Sequence, residues 1–140
     1  MTLYGNKHYN PGVFRQANDA VGARYVVTSD EYPCSTYPDF LSGFGYLIPR
    51  KARDALLYTS YHDPNTPFRI SDVYMTGILP DYLSLARQPM SDYIIRYQSN
   101  CEDFFTNPKA FTCAVGSHHG DTTDVFHKYN LYWQRVKKFL

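Results

Sequence analysis

Three stretches of the chain space their apolar residues as an amphipathic helix does. The first runs from Arg50 to Tyr61 and follows Pro49, a residue suited to a first helical turn. The second begins at Ser71 or Asp72 and is expected to break or kink at Pro80, which lacks a backbone N–H. The third ends the chain, and its apolar stripe consists of Val125, Phe126, Tyr129, Tyr132, Trp133, Val136 and Leu140.

Strands are predicted where β-branched and aromatic residues cluster between turn residues. Tyr25–Thr28 is one such run, and two more lie at 94–97 and 111–115. Phe40–Ile48 alternates aromatic residues with glycines, which leaves space for another backbone or a ligand. Residues 1–23, rich in glycine and other turn residues, are predicted to be loop. Alternating strands and helices, with no repeat or linker, predict an α/β fold in a single unit over residues 1–140.

Composition excludes two classes of partner. The 140 residues carry 14 Lys and Arg against 13 Asp and Glu, so no strong field attracts nucleic acid or an anionic membrane. No apolar run approaches the roughly 18 residues of a membrane span. Three cysteines are too few for a disulfide scaffold. Their spacing alone leaves open whether Cys101 and Cys113 form a disulfide or stay as two buried thiols.

Two segments carry the functional information, because no phosphate loop, serine-hydrolase elbow or zinc-protease motif is present. They are YPDFLSGFGYLI at 37–48 and SDVYMTG at 71–77. Their order and spacing resemble the β-1,3-galactosyltransferase and β-1,3-N-acetylglucosaminyltransferase group, glycosyltransferase family 31. Members carry a YP-x-(Y/F)-x-SG-x-GY segment, a helix, and then EDVY-x-x-G. The resemblance is to the C-terminal half of these enzymes and is closest over residues 22–85; residues 86–140 are expected to supply closing strands and the terminal helix.

The resemblance implies a partial GT-A, Rossmann-like fold, with a mixed sheet and flanking helices, on the lumenal side of the Golgi membrane. It implies inverting transfer of a sugar from a UDP-sugar to a hydroxyl of a glycan or glycoprotein, with Mn²⁺ neutralising the departing diphosphate. A lumenal location also favours the Cys101–Cys113 disulfide, which would leave Cys34 as the free thiol.

An inverting transfer needs a carboxylate that takes the proton of the attacking hydroxyl. Asp72 occupies the position of the family's "ED" aspartate, the implied base, while Ser71 replaces the preceding glutamate. On sequence grounds alone, Asp72 could equally be a helix cap. The implied substrate-contacting residues, for which ordinary packing is the alternative, are Tyr37, Ser42, Gly43, Gly45 and Tyr46.

The metal site is the main departure from the family pattern. His118 and His119 precede the terminal helix, where the resemblance implies a manganese ligand, although a His pair in a loop is more often exposed. No two aspartates in the chain are separated by a single residue, so the family's Asp-x-Asp segment is missing. The chain is therefore expected to be a fragment, a truncated gene model or a degenerate paralogue, without the family's N-terminal membrane anchor and inactive alone. The alternative functions are a non-catalytic carbohydrate- or partner-binding module and a Tyr-rich structural domain.

Overall fold

The computed structural model describes residues 1–20, 22–90 and 125–139. Their contacts group into two compact units, residues 1–91 and 92–140, which are described separately. The first unit contains strands β1 (Thr2–His8), β2 (Phe40–Leu47) and β3 (Ala86–Pro89). It also contains a 3₁₀ turn (Gly22–Tyr25), helix α1 (Arg50–His62), and a central helical run made of α2 (Ser71–Val73), a π-helix (Tyr74–Ile78) and α3 (Leu79–Tyr82).

The sheet of the first unit is mixed, as predicted. Its strand order is β2-β1-β3, with β1 antiparallel to β2 and parallel to β3. The prediction of loop over residues 1–23 was wrong at its start, because Thr2–His8 is the central strand. Leu3 and Gly5 are buried on alternate positions of this strand, so Gly5 serves close packing and does not mark a turn.

A bulge in β2 packs against Gly5. Gly5 pairs with Tyr46 and Lys7 pairs with Leu41, so Asn6 alone in β1 stands opposite residues 42–45 of β2. The SGFG segment therefore leaves the regular pairing with β1. A Cβ atom on Gly5 would lie 3.0 Å from the Cβ of Tyr46 and 3.2 Å from the carbonyl oxygen of Gly45. These neighbours are backbone or Cβ atoms, which cannot move aside without shifting the strand.

Replacing Gly5 by Ala is therefore expected to destabilise the protein by about 1–3 kcal/mol, the usual cost of an overpacked site. Gly12→Ala is the matched control, because a Cβ there has no neighbour within 4 Å. Thermal unfolding of both variants is the measurement. Equal melting temperatures for the two variants would contradict the close packing at Gly5.

The strand predicted at Tyr25–Thr28 is absent; part of it belongs to the 3₁₀ turn. Two arginines hold this segment instead. The Arg15 guanidinium donates to three carbonyl oxygens at 2.7–2.8 Å, and Arg69 donates to two more. Arginine side chains thus form the hydrogen bonds that a strand would form with a neighbouring strand. A local sequence pattern does not reveal such contacts. The acceptors are Val27, Tyr32 and Cys34 for Arg15, and Arg24 and Val26 for Arg69.

Both helical segments predicted within the first unit are present. Helix α1 is confirmed and buries Ala52 and Leu56 against the core. The central helical run was predicted to break or kink at Pro80. It does not break there, and it widens into the π-helix just before Pro80, where the Leu79 N–H donates to the Tyr74 carbonyl. Pro80 then falls in the first turn of α3, where its missing N–H is tolerated.

In the second unit, the described residues form helix α4 (Val125–Val136), which confirms the predicted terminal helix, and a short 3₁₀ turn (Lys137–Phe139). Over the ranges that the structure describes, no helix is both long and apolar enough to cross a membrane.

Candidate functional site

The central helical run covers the free edge of β2. The Leu41 N–H donates to the Thr76 hydroxyl oxygen at 2.8 Å, and the Gly43 N–H donates to Oδ2 of Asp72 at 3.1 Å. Residues two apart in a strand direct their N–H groups to the same edge, and residues four apart in a helix share a face. Asp72 and Thr76 thus take the place of a neighbouring strand at this edge.

Thr76 joins β2 to the turn that carries Asp72. The Thr76 side chain is fully buried. Besides accepting from Leu41, its hydroxyl has one proton, which lies within reach of the carbonyl oxygens of Leu41 at 2.9 Å and Asp72 at 2.6 Å. One side chain therefore bonds both elements of the site, and its loss would loosen Asp72 relative to the strand.

The Asp72 carboxylate faces the Gly43 segment. Its Oδ2 atom accepts from Gly43, and its Oδ1 atom accepts the Val73 N–H at 3.0 Å. The side chain is half-buried. Ile70, and not Asp72, holds the N-cap position of α2. Asp72 therefore does more than cap a helix in this structure, because it also bonds the neighbouring strand.

Gly43 leaves open space beside this carboxylate. The residue is exposed, and a Cβ atom there would lie 3.7 Å from Oδ2 of Asp72, an ordinary contact distance. Among the described residues, nothing in the packing requires a glycine at position 43. A glycine that the fold does not need, next to an accessible carboxylate, is typical of a surface where a ligand approaches the backbone.

The other predicted contacts of the SGFG segment lie in or beside the bulge. Ser42 is 5% exposed, and its hydroxyl has no hydrogen-bond partner in the described structure. Gly45 belongs to the bulge, and Tyr46 ends it, half-buried against the core that includes Leu3. The structure thus places Gly43 against Asp72, with Ser42 and Gly45 in the same bulge, and leaves Tyr46 mainly a packing residue.

Tyr37 lies in the core and not at this surface. It is 6% exposed, and its ring packs 5.2 Å from Tyr32 and 5.8 Å from Phe68, centroid to centroid. Burial raises the pKa of the Tyr37 hydroxyl, which the nearby Arg15 partly offsets. With both neighbours against the ring, Tyr37 has no face open for stacking on a sugar, and the packing alternative describes it.

Most of the first unit matches a known protein family. Residues 3–91 match the family model described as galactosyltransferase. The chain belongs to the galactosyltransferase family. It is 31% identical over 78 residues to the beta-1,3-galactosyltransferase bre-2 of Caenorhabditis elegans. This aligned region covers 56% of this chain and 21% of the relative. It is 33% identical over 66 residues to lactosylceramide 1,3-N-acetyl-beta-D-glucosaminyltransferase B of Xenopus laevis, covering 43% of this chain and 17% of the relative.

The chain thus spans about a fifth of the length of these curated relatives. Its mixed sheet with flanking helices is consistent with a partial GT-A-like glycosyltransferase fold, as predicted. Two segments within the matched residues 3–91, the bulge of β2 and the start of the central helical run, form this candidate site.

Sequence interpretation missed the roles of two residues that shape this site. Thr76 was not singled out, although its position four residues after Asp72 signals a shared helix face. Gly77 lets the helical run approach the start of β2, since a Cβ there would lie 3.1 Å from the Cβ of Phe40 and 3.3 Å from Pro38. Both residues lie in the SDVYMTG segment, whose threonine and glycine therefore serve packing against β2.

Next to the site, Lys7 and Asp39 fix the segment that leads into β2. The Lys7 ammonium lies 2.8 Å from Oδ2 of Asp39, and the Asn10 N–H donates to Oδ1 at 3.0 Å. The hydrogen bond from Lys7 lowers the pKa of the Asp39 carboxyl, so this carboxylate is ionised and anchored. Its hydrogen bonds commit it to the fold.

The predicted metal ligands and disulfide lie outside the described residues: His118, His119, Cys101 and Cys113. Cys34 is exposed and free. Within the ranges that are described, no three His, Cys, Asp or Glu side chains converge as metal ligands do.

Proposed function

We propose that this chain supplies the acceptor side of a hexosyltransferase of the β-1,3-galactosyltransferase type. Such an enzyme transfers a sugar with inversion from a UDP-sugar to a hydroxyl of a glycan or glycoprotein. The observation that carries the proposal is the half-buried Asp72 carboxylate beside the open backbone of Gly43, within the family-matched residues 3–91.

In this mechanism Asp72 is the general base. Each of its oxygens accepts one backbone N–H, and each keeps a further lone pair for a substrate hydroxyl. An acceptor hydroxyl within about 3 Å gives its proton to this carboxylate. Its oxygen forms a bond to the anomeric carbon of the donor sugar while the bond from that carbon to the diphosphate oxygen breaks. The products are the inverted glycoside, UDP and a protonated Asp72.

The donor side of the proposal rests on family membership. Mn²⁺ would neutralise the diphosphate, and its candidate ligands in this chain remain His118 and His119. A lumenal location at the Golgi membrane belongs to the same proposal.

A second candidate function is a non-catalytic carbohydrate- or partner-binding module derived from such an enzyme. The observation that favours it is that both Asp72 oxygens already accept backbone N–H groups, as a carboxylate with a purely structural role does. The two candidates share the acceptor surface and differ in whether a bound hydroxyl is ever deprotonated by Asp72.

Gly43 offers a test of the acceptor surface. In a full-length family enzyme, changing the glycine that matches Gly43 to Ala is expected to raise the KM for the acceptor about 10-fold and leave the KM for the donor unchanged. The reason is that a methyl group fits the fold but fills the space beside the carboxylate.

The control for this test is stability in the present chain. Gly43→Ala and Gly12→Ala are both expected to unfold at the parental temperature, because neither added methyl group meets a close neighbour. An unchanged acceptor KM in the full-length variant would mean that substrate does not approach Gly43.

A further inference from the structure

A second concave surface of the first unit lies away from Asp72. It is an open pocket of about 420 Å³, a size typical of small-molecule sites. The central helical run contributes Tyr74, Ile78 and Tyr82 at successive turns, whereas Asp72 and Thr76 face β2. The pocket and the candidate acceptor site therefore lie on different faces of the same helical run. Two other segments, residues 31–32 and 63–69, also line the pocket, and the side chains that matter here are Glu31, Tyr32, Asp63, Asn65, Phe68 and Arg69.

Aromatic rings form the apolar part of this pocket. Tyr82 is 66% exposed although it borders a pocket, and the half-buried rings of Tyr32 and Phe68 lie 5.5 Å apart. Rings of this kind offer flat apolar faces with a polar tip, and the C–H faces of a pyranose stack on them.

Carboxylates form the polar part, and both are held in position. Asp63 Oδ2 accepts the Tyr74 hydroxyl at 3.0 Å, and Oδ1 accepts from the backbone and side chain of Asn65, each at 3.0 Å. Oε1 of Glu31 accepts from Arg69 Nε at 2.7 Å. The hydrogen bonds from Asn65 lower the pKa of the Asp63 carboxyl, so it accepts hydrogen bonds at neutral pH. Each carboxylate keeps free lone pairs, which suit the hydroxyl donors of a ligand.

The wall that carries Arg69 is also fixed before any ligand binds. Arg69 donates to Glu31 and to the carbonyl oxygens of Arg24 and Val26, which ties the loop after Asp63 to the 3₁₀ turn. Binding to a surface that is already ordered loses little conformational entropy.

We propose that this pocket binds a neutral pyranose unit, as a carbohydrate subsite separate from the site at Asp72. Two carboxylates against one arginine disfavour a phosphate or an acidic sugar, while stacking faces and hydroxyl acceptors favour a neutral hexose. The choice of a sugar as ligand rests on the proposed function; the pocket and its lining do not.

The experiment is a titration of the ¹⁵N-labelled 140-residue chain with methyl β-D-galactopyranoside and with lactose, followed by amide chemical shifts. Saturable shifts are expected at Tyr82 and at the non-proline residues of 63–69. Tyr82→Ala is expected to weaken binding at least 5-fold, and Tyr82→Phe, which keeps the ring, to restore most of it. Tyr61→Ala is the matched control, because Tyr61 is 84% exposed and does not line the pocket.

Asp72→Asn separates this proposal from the proposed function, since it should leave binding in the pocket unchanged. Shifts confined to residues 42–45 and 72, and lost in Asp72→Asn, would place the sugar at the candidate acceptor site and overturn the pocket. Absence of saturable shifts for both sugars, or equal losses in Tyr82→Ala and Tyr61→Ala, would also overturn it. A failure of sugar transfer to depend on Asp72 would overturn only the proposed function.

Discussion

In a full-length family enzyme, changing the aspartate that matches Asp72 to Asn is expected to lower kcat by about 10²- to 10⁴-fold, the usual contribution of a general base. Asparagine fills the same space but cannot accept the proton of the acceptor hydroxyl. The loss should appear in kcat, with the KM for the UDP-sugar unchanged, because the variant still binds donor. The measurement is steady-state kinetics with saturating donor.

The structure also sets the stability expected of this change. The two Asp72 oxygens accept from Gly43 and Val73, and asparagine has a single acceptor oxygen, so one N–H loses its partner. Asp72→Asn in the present chain should therefore destabilise it by only about 1 kcal/mol. Asp54→Asn is the matched control, because Asp54 is an exposed carboxylate on α1 that contacts Arg53 and not β2. Near-normal sugar transfer in the variant would contradict the role of Asp72 as general base, and its remaining role would be the structural contact at the edge of β2.

The second large effect is expected at Thr76, where Thr76→Val should lower the free energy of unfolding by about 2–3 kcal/mol. Valine has nearly the same shape, so no cavity forms. It removes the hydroxyl that accepts from the Leu41 N–H and lies within reach of the Leu41 carbonyl, in a fully buried position. Urea unfolding of the 140-residue chain is the measurement.

Thr76→Ser is the control, because it keeps the hydroxyl and removes only a methyl group. It should retain more stability than Thr76→Val. The amide protons of Leu41 and Gly43 should also exchange faster with solvent in Thr76→Val, since both edge contacts of β2 depend on the same helical turn. A valine variant as stable as the serine variant would show that the hydroxyl does not hold β2.

Those elements with strong local signals were predictable from the sequence. Helix α1 follows from Pro49 and from apolar residues at helical spacing, and β2 follows from its alternating aromatic residues. Strand β1 was missed because the sequence does not distinguish a glycine that packs against a bulge, such as Gly5, from a glycine in a turn. The arginine contacts that replace a strand at Val27 join residues 12 or more positions apart, beyond any local pattern.

The site was also predictable only in part. The resemblance assigned both Asp72 and Gly43 to the implied site, and the structure shows them in contact. The bulge of β2 could not be foreseen, because it depends on register with β1, a property of two strands and not of one. Tyr37 was assigned to the ligand surface from its motif, but its burial is decided by Tyr32 and Phe68, which come from other segments.

The most direct measurement is a structure of a full-length family enzyme, carrying the aspartate that matches Asp72, with UDP and an acceptor saccharide bound. The account predicts that the reacting acceptor hydroxyl lies within about 3 Å of that carboxylate, directly or through one water, and that the sugar ring rests against the glycine that matches Gly43. An acceptor hydroxyl held by a different carboxylate, with the aspartate bonded only to the strand and helix backbone, would contradict it.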